Sequence, residues 1–445
     1  MIDRLGAVST AARAVVRSVA SGMPEVVLVD ACRTPFQVSG SGFKAQQAWQ
    51  LARMALHGLA TRNPSVELKH VDHLYYGSVI QEVKTANVGR EAALVAGYPR
   101  SVPATTMTMA CISSNAAIAA GSDKIRAGQA DIIVAGGVET MSDVPIRFSR
   151  ELRARMIASQ KAKGVAGYLK LLKGFRLSWL APELPAVAEF STNEVMGHSA
   201  DRLAAAWGVS RLEQDEYALR SHQFAAAASS AGLLTDRLTI SVPAVADDNG
   251  IKADSTLAKL QSLKPAFIKP HGTVTAASSS FLTDGASAAL IMSKTAALDR
   301  GIKPRAYLLD SVFTGMDPAE ELLLGPAYSI VKLLQRNNLK VADIGVWEIH
   351  EAFAGQVLAN LNALESKDFC ELKAGGTAGA VGRLPMDKIN LWGGSLSIGH
   401  PFAATGVRLV TTAASRLHHE NHELAVVSAC AAGGLGTAML VKRFK

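Results

Sequence analysis

At 445 residues the chain is long enough for two or three domains, and 49% hydrophobic residues are ample for large cores. It has no run of about 18 apolar residues, so no membrane span is expected, and four cysteines without a CxxC pair argue against a disulfide framework or a zinc site. The formal charge of +8 suits a phosphate-bearing ligand and equally a basic organelle protein, while no stretch of aromatics interleaved with basic residues points to nucleic acid.

The first 23 residues differ in texture from the rest of the chain. Arg4, Arg13 and Arg17 sit among Ser, Ala and Val with Asp3 as the only acid. Wound as a helix, Arg13 and Arg17 share a face and Leu5, Val8, Val15 and Val19 supply apolar surface, the pattern of a mitochondrial presequence. The alternative is an unstructured tail.

Folded sequence is expected from Pro24. Val26 to Val29 is a short apolar run that reads as a buried strand. Ala48 to Leu59 has helical spacing, Val71 to Gly77 reads as a strand, Asn87 to Ala96 as a helix, and Ala116 to Arg126 as another. Ile132 to Ala135, followed by Gly136-Gly137, closes this set. Strands alternating with helices predict an α/β fold with a parallel, doubly covered sheet.

From Met141 to Phe281 the texture changes. Arg147, Arg150, Arg153, Arg155, Lys161, Lys163, Lys170, Lys173 and Arg176 meet only one acid, Glu151, and are interleaved with Leu169, Leu171, Leu172, Phe175, Leu177, Trp179 and Leu180. A basic amphipathic segment of this kind suits an anionic membrane surface or a partner; a solvated helix pair is the alternative. Ser210 and Glu213 form a capping box ahead of a helix over 211–228. The region reads as an insertion between strands.

After Asp284-Gly285 the α/β pattern resumes, with strands at Ala286–Ser293, Ala306–Val312 and Val346–Ile349. The last runs into His350-Glu351-Ala352-Phe353 and a helix. Ser395-Leu396-Ser397 leads into Gly399-His400-Pro401 and a helix to Leu417, and Leu424 to Ala429 leads into Cys430 and Gly433-Gly434. The order "reactive residue, helix, apolar strand, Gly-Gly" occurs twice, over 111–137 and 400–434, which predicts a duplicated fold.

Four reactive side chains therefore gather at strand ends or helix starts, where open α/β sheets bind ligands: Cys111, His350, His400 and Cys430. Cys111 lies in Thr108-Met109-Ala110-Cys111-Ile112-Ser113-Ser114-Asn115. A cysteine that opens a helix feels the positive end of its dipole, which lowers the thiol pKa; the plain alternative is a buried structural cysteine. Pro401 suits the first turn of a helix and would fix His400 just before it. Two cysteines and two histidines could also be a metal site, but none of them stand at short ligand spacing.

These stretches resemble the thiolases, most closely the β-subunit type of the mitochondrial trifunctional enzymes, which are 3-ketoacyl-CoA thiolases. The resemblance runs from Pro24 to Lys445. It rests on the Cys111 stretch, Met196-Gly197-His198-Ser199-Ala200-Asp201, Gly272-Thr273-Val274-Thr275-Ala276, His350-Glu351-Ala352-Phe353, Gly399-His400-Pro401 and Cys430-Ala431-Ala432-Gly433-Gly434. Most thiolases carry Asn at the position of His350; the trifunctional type carries His there, and Trp392 before Gly393-Gly394.

The resemblance implies a thiolase fold: two duplicated βαβαβαββ-type domains in a five-layered αβαβα core, with an inserted loop domain. The implied division is 24–141 completed by 282–303, a loop domain over 142–281, and 304–445. It implies Cys111 as the acyl-accepting nucleophile, and His400 as its activator. His400, with a water held by His350, would form a first oxyanion hole. Cys430 would be the second acid/base, and the backbone N–H groups of Cys111 and Ala432 a second oxyanion hole. Met196, Lys252, Ser280 and Phe353 would contact CoA or substrate. No metal or cofactor is implied, since CoA is a substrate. The implied activity is thiolytic cleavage of medium- or long-chain 3-ketoacyl-CoA in fatty-acid β-oxidation. A condensing acetoacetyl-CoA thiolase and a non-catalytic acyl-CoA-binding subunit are the rivals. The implied setting is the mitochondrial matrix, as a homodimer or homotetramer, with a hydratase/dehydrogenase α-subunit and a peripheral inner-membrane contact as further expectations. Ala403 stands where the family has Gly and Ser278 where it has Asn; the Ala403 methyl is expected to narrow the approach to His400.

Overall fold

The computed structural model describes residues 22–445 apart from 186, 187, 242, 377 and 378. The expected presequence lies, as far as residue 21, outside the described residues. Strand β1 (Val26–Arg33) alternates its side chains between two cores: Val27 and Val29 face one, Val26 and Leu28 the other. It is followed by β2 (Gln37–Val38), α1 (Ala48–Arg62), β3 (His73–Gly77), α2 (Val88–Val95), β4 (Ala104–Met107), α3 (Ser113–Arg126) and β5 (Ile132–Glu139). The Asn87 side chain caps α2 by accepting from Arg90 N, so the expected helix starts one residue later, with Asn87 as its cap.

Residues 140–282 then leave the sheet. They carry α4 (Arg150–Ser159), α5 (Gly164–Leu172), α6 (Met196–Ala206) and α7 (Arg211–Ser230). The Ser210–Glu213 capping box heads α7 with both reciprocal bonds present. The chain returns as β6 (Thr283–Ser293), which pairs antiparallel with β5 from Ile132↔Met292 to Glu139↔Gly285. The second half comprises β7 (Ala306–Gly315), α8 (Gly325–Arg336), β8 (Val346–Ile349), α9 (Ala354–Glu365), α10 (Thr405–His419), β9 (Leu424–Ala431) and β10 (Leu435–Arg443).

The strands line up as β4-β3-β5-β6-β1-β7-β10-β9-β8. The first five and last four are two similar sheets, joined where β1 meets β7 at only Val27↔Tyr307 and Leu28↔Ala306. In each half the strands at the outer end are parallel, and the last strand in chain order, β6 or β10, runs antiparallel to both neighbours. Where the first half has β4, the second has only a parallel bridge, Trp347↔Ile389. The sheet is thus mixed, not purely parallel, because the crossover geometry is abandoned at the final strand of each half.

Helices α1 and α2 cover the outer face of the first sheet, α3 and α10 lie in contact between the sheets, and α8 and α9 cover the second. Each layer boundary is an apolar core. Helix α9 also contacts α6 and α7, so the insertion leans on the second half. At the end of β1 the buried Arg33 guanidinium reaches Asp236 at 2.9 Å and both oxygens of Asp248 at 2.6 and 2.9 Å, tying the insertion to the first sheet.

The expected double pattern of reactive residue, helix, strand and Gly-Gly differs in one respect. Gly136 and Gly137 lie within β5, whereas Gly433 and Gly434 form a turn beyond β9 with φ of +84° and +66°. The reason is packing: a side chain at Gly137 would collide with the Ala403 carbonyl, 2.0 Å from its Cβ position.

Candidate active site

Cys111 does not open the helix; it sits in a tight turn two residues before it. Ala110 has φ +47°, a left-handed conformation costing an alanine roughly 1–2 kcal/mol. Ser113 Oγ holds the turn, accepting from Met109 N at 2.8 Å and donating to Ala110 O at 2.6 Å. The turn projects the Cys111 thiol toward the second half of the molecule.

That half supplies the rest. His350 follows the end of β8 and its N–H donates to Ser428 O at 2.8 Å. His400 follows a short helical turn, Ser395–Ile398, and Gly399 with φ +113°; its N–H donates to Thr283 Oγ1 at 2.9 Å. Pro401 precedes a single 3₁₀ turn rather than entering α10, which starts only at Thr405. Cys430 lies on β9 and Ala432 in the turn beyond it.

One ligating atom each from Cys111, His350 and His400 lie within 4.8 Å of one another, and the two imidazole centroids are 4.1 Å apart. Burial pushes the Cys111 thiol up to about 12, against the opposing pull of the Ala432 and Cys111 backbone N–H groups. The expectation of a dipole-lowered thiol is therefore corrected: desolvation outweighs the helix end. Burial, with Cys111 nearby, also raises the Cys430 thiol. Burial and then Arg408 hold His400 down at about 3, and burial, His400 and Arg408 hold His350 well below its ordinary value. Both rings are neutral at physiological pH.

The His400 ring is oriented from behind by Thr405. Thr405 Oγ1 donates to Pro401 O at 3.0 Å, so Nδ1–H donates to it at 2.7 Å and Nε2 is left as an acceptor. That suits a base for Cys111. Cys111, His350 and His400 are also the described donors that could take a metal ion, but the Arg408 cation beside both imidazoles opposes one.

Three of the four expected substrate contacts, Met196, Ser280 and Phe353, lie in one neighbourhood of the second half. Phe353 packs edge-on to Phe267 at 6.0 Å, and Met196 joins the same apolar cluster. Ser280 N donates to Ala352 O at 2.9 Å, beside Phe353. Lys252 is exposed and reaches the neighbourhood only through its backbone N–H on His222 Nδ1. Ser278 bonds within its own turn, accepting from Thr275 N at 2.8 Å. The Ala403 methyl faces Gly77 and Gly137 of the first sheet, which leave room for it.

Several residues here were not singled out from sequence. Glu351 anchors the His350 segment, accepting from Ser221, Asn390, Tyr217 and Leu396 N. Glu139, pushed up to about 7 by burial, accepts from Val79, Ile80 and Ala403 N. Glu189 of the insertion accepts from Gly433 N at 2.7 Å, next to Ala432. Thr405, four residues after Pro401, and Arg408, a charge among apolar neighbours on α10, carried the only local signals.

The chain matches "Thiolase, N-terminal domain" over residues 26–295 and "Thiolase, C-terminal domain" over 302–443. It is 54% identical to "Probable 3-ketoacyl-CoA thiolase" of Caenorhabditis elegans, over 99% of each chain. It is 56% identical to "Trifunctional enzyme subunit beta, mitochondrial" of Homo sapiens, over 94% of this chain and 88% of that one. Among solved structures, human mitochondrial 3-ketoacyl-CoA thiolase in complex with CoA superposes with a TM-score of 0.81 at 29% identity, covering 95% of this chain and 98% of that one. Matched in both halves and along nearly all of its length, the chain belongs to the thiolase family.

Proposed function

We propose that the chain is an acyltransferase that cleaves 3-ketoacyl-CoA with CoA, giving acetyl-CoA and a shortened acyl-CoA. The observation that carries this is the convergence of Cys111, His350 and His400 within 4.8 Å. A protonated thiol is a poor nucleophile; it needs a base at the moment of reaction. His400 Nε2 takes the Cys111 proton as sulfur attacks the C3 ketone. The C2–C3 bond then breaks, leaving an acyl thioester on Cys111 and the enolate of acetyl-CoA.

The enolate oxygen lies against the protonated His400 and a water held by His350. Cys430 gives its proton to C2, and acetyl-CoA departs. The Cys430 thiolate then deprotonates the incoming CoA thiol, which attacks the thioester carbonyl. The N–H groups of Cys111 and Ala432 hold the resulting oxyanion. Collapse releases acyl-CoA, and the Cys111 thiolate recovers its proton from His400. Each oxyanion donor is worth about 10²–10³ in rate. Met196, Ser280 and Phe353 line the substrate, and Lys252 reaches the outer part of CoA.

Thiolysis of purified protein with short and long 3-ketoacyl-CoAs, beside condensation of acetyl-CoA alone, tests the reading. Faster turnover of the long substrates is expected, and a rate confined to condensation overturns it. Mass spectrometry should place the acyl group on Cys111, and Cys111→Ser should remove both adduct and turnover. An adduct only on Cys32, Cys370 or Cys430 overturns the assignment.

The relatives' names support a mitochondrial setting and an α-subunit partner. We further propose the inserted loop region as the membrane-facing part. Among the described residues no helix is long and apolar enough to cross a membrane, and the proposed contact is peripheral. Ile157, Val165, Leu169, Leu177, Leu180 and Phe190 are exposed there, Leu177 by 79% and Phe190 by 98%. Exposed basic residues Lys161, Lys163, Lys173 and Arg176 accompany them.

A further inference from the structure

Thiolysis by this route asks two neighbouring imidazoles to behave differently. One must accept a proton and the other must offer a hydrogen bond. A neutral imidazole carries one proton, and the group behind the ring decides which nitrogen holds it. Behind His400 stands Thr405, whose own hydrogen goes to Pro401 O, so the ring is the donor and Nε2 is bare. Behind His350 the direction is reversed. Arg408 Nη2, which can only donate, reaches Ser395 Oγ at 2.8 Å. The single hydrogen of Ser395 is then left for His350 Nδ1 at 3.0 Å. With Nδ1 accepting, the proton of His350 sits on Nε2. Neither Nε2 has a protein partner, so one ring presents a lone pair and the other an N–H.

Arg408 sits near the buried carboxylates Glu348 and Glu351, but neither holds it by a hydrogen bond. It is 1% exposed in the body of α10, and a buried guanidinium is costly unless fully paired. Its Nε and Nη1 lack protein partners, and Glu348 lies 3.9 Å from Nη1. Glu348 is bonded at 2.8 Å by Arg416, which is itself shared with Glu420, so Arg408 helps to balance this charge without hydrogen-bonding to it. Its one hydrogen bond among the described residues is to Ser395.

We propose that Ser395 and Arg408 are positioning residues that lock His350 in the Nε2–H tautomer, so that it donates toward the oxygen on which charge gathers while His400 accepts. The proposal rests on the thiolase reading, and its test separates the two. Long-range ¹H–¹⁵N spectra of the full-length protein with ¹⁵N-labelled histidine report each tautomer without any turnover. His350 is assigned by the loss of its signals in His350→Asn.

The expected result is His350 protonated at Nε2 and His400 at Nδ1. Ser395→Ala should give a tautomer mixture at His350 alone and lower kcat about tenfold or more, short of the ~10²–10³ of a deleted oxyanion donor, with KM little changed. In the His350→Asn background Ser395→Ala should cost far less, and Ser395→Thr, which keeps a hydroxyl, should restore the Nε2–H signal. A wild-type His350 protonated at Nδ1 overturns the proposal, and this spectrum decides even if Ser395→Ala fails to fold. An equal loss of kcat in both backgrounds also overturns it. The expected tautomers in a protein without thiolysis would support the lock and count against the thiolase reading instead.

Discussion

A thiol can be made nucleophilic in two ways: by holding it as a thiolate, or by keeping it neutral beside a base. In the proposed mechanism Cys111 takes the second route, since burial pushes its thiol up to about 12 and holds His400 down at about 3. Thiolate rises only as pH approaches the raised value, so iodoacetamide labelling of Cys111 should climb from about pH 7 to 10 without levelling. A plateau below about pH 8, read by peptide mass spectrometry, would instead reveal a preformed thiolate. Cys430→Ser should spare single-turnover acylation of Cys111 while slowing steady-state turnover at least about tenfold. Wild-type rates in both phases would remove Cys430 from the acid/base role. The reactive residues were legible because their types and flanking motifs are local. The thiol's protonation was not, because desolvation depends on what packs around it once the chain has folded. Thr405, Ser395 and Arg408 were hidden for a related reason: a hydroxyl behind a ring has meaning only once the ring is placed.

At the scale of elements, helix signals were the most readable. Ser210 and Glu213 close their capping box where expected, and Asn87 caps α2. Strand pairing was not readable. Nothing in Ile132–Glu139 announces that its antiparallel partner is Thr283–Ser293, beyond the whole insertion. Nor does the sequence show that β8 would have only a bridge at Ile389 on its far side. The segment over 147–180 shows a basic and apolar pattern in both sequence and structure. Here Phe175 and Trp179 pack edge to face, and Arg155 stacks on Trp179 at 4.3 Å. Each basic residue near an anionic surface contributes about 1 kcal/mol, fading with salt. Replacing Lys163, Lys173 and Arg176 by Gln should therefore weaken co-sedimentation with cardiolipin vesicles at low salt. Turnover of short, soluble substrates should be unchanged. Undiminished sedimentation of the triple variant would make the segment a solvated or protein-facing surface.

At the scale of the molecule, the insertion is secured at many points, and Arg33 supplies its buried ion pairs with the first sheet. Arg33→Ala leaves Asp236 and Asp248 buried without their cation, at a cost of roughly 3–5 kcal/mol. Chemical denaturation should show that loss in the main transition, and a change confined to a minor early transition would mean that the insertion unfolds by itself. A broader consequence lies in the narrow seam between the sheets, two residue pairs wide. Cys111 belongs to one side of it; His350, His400 and Cys430 belong to the other. Neither half holds a complete set, so activity is a property of their docking and not of either fold. During refolding, each half can regain its helices and strands while the enzyme is still silent. Turnover should return after the far-ultraviolet dichroism, with a lag that measures how long two finished pieces take to find each other. Simultaneous recovery of both signals would mean that the halves form only as one.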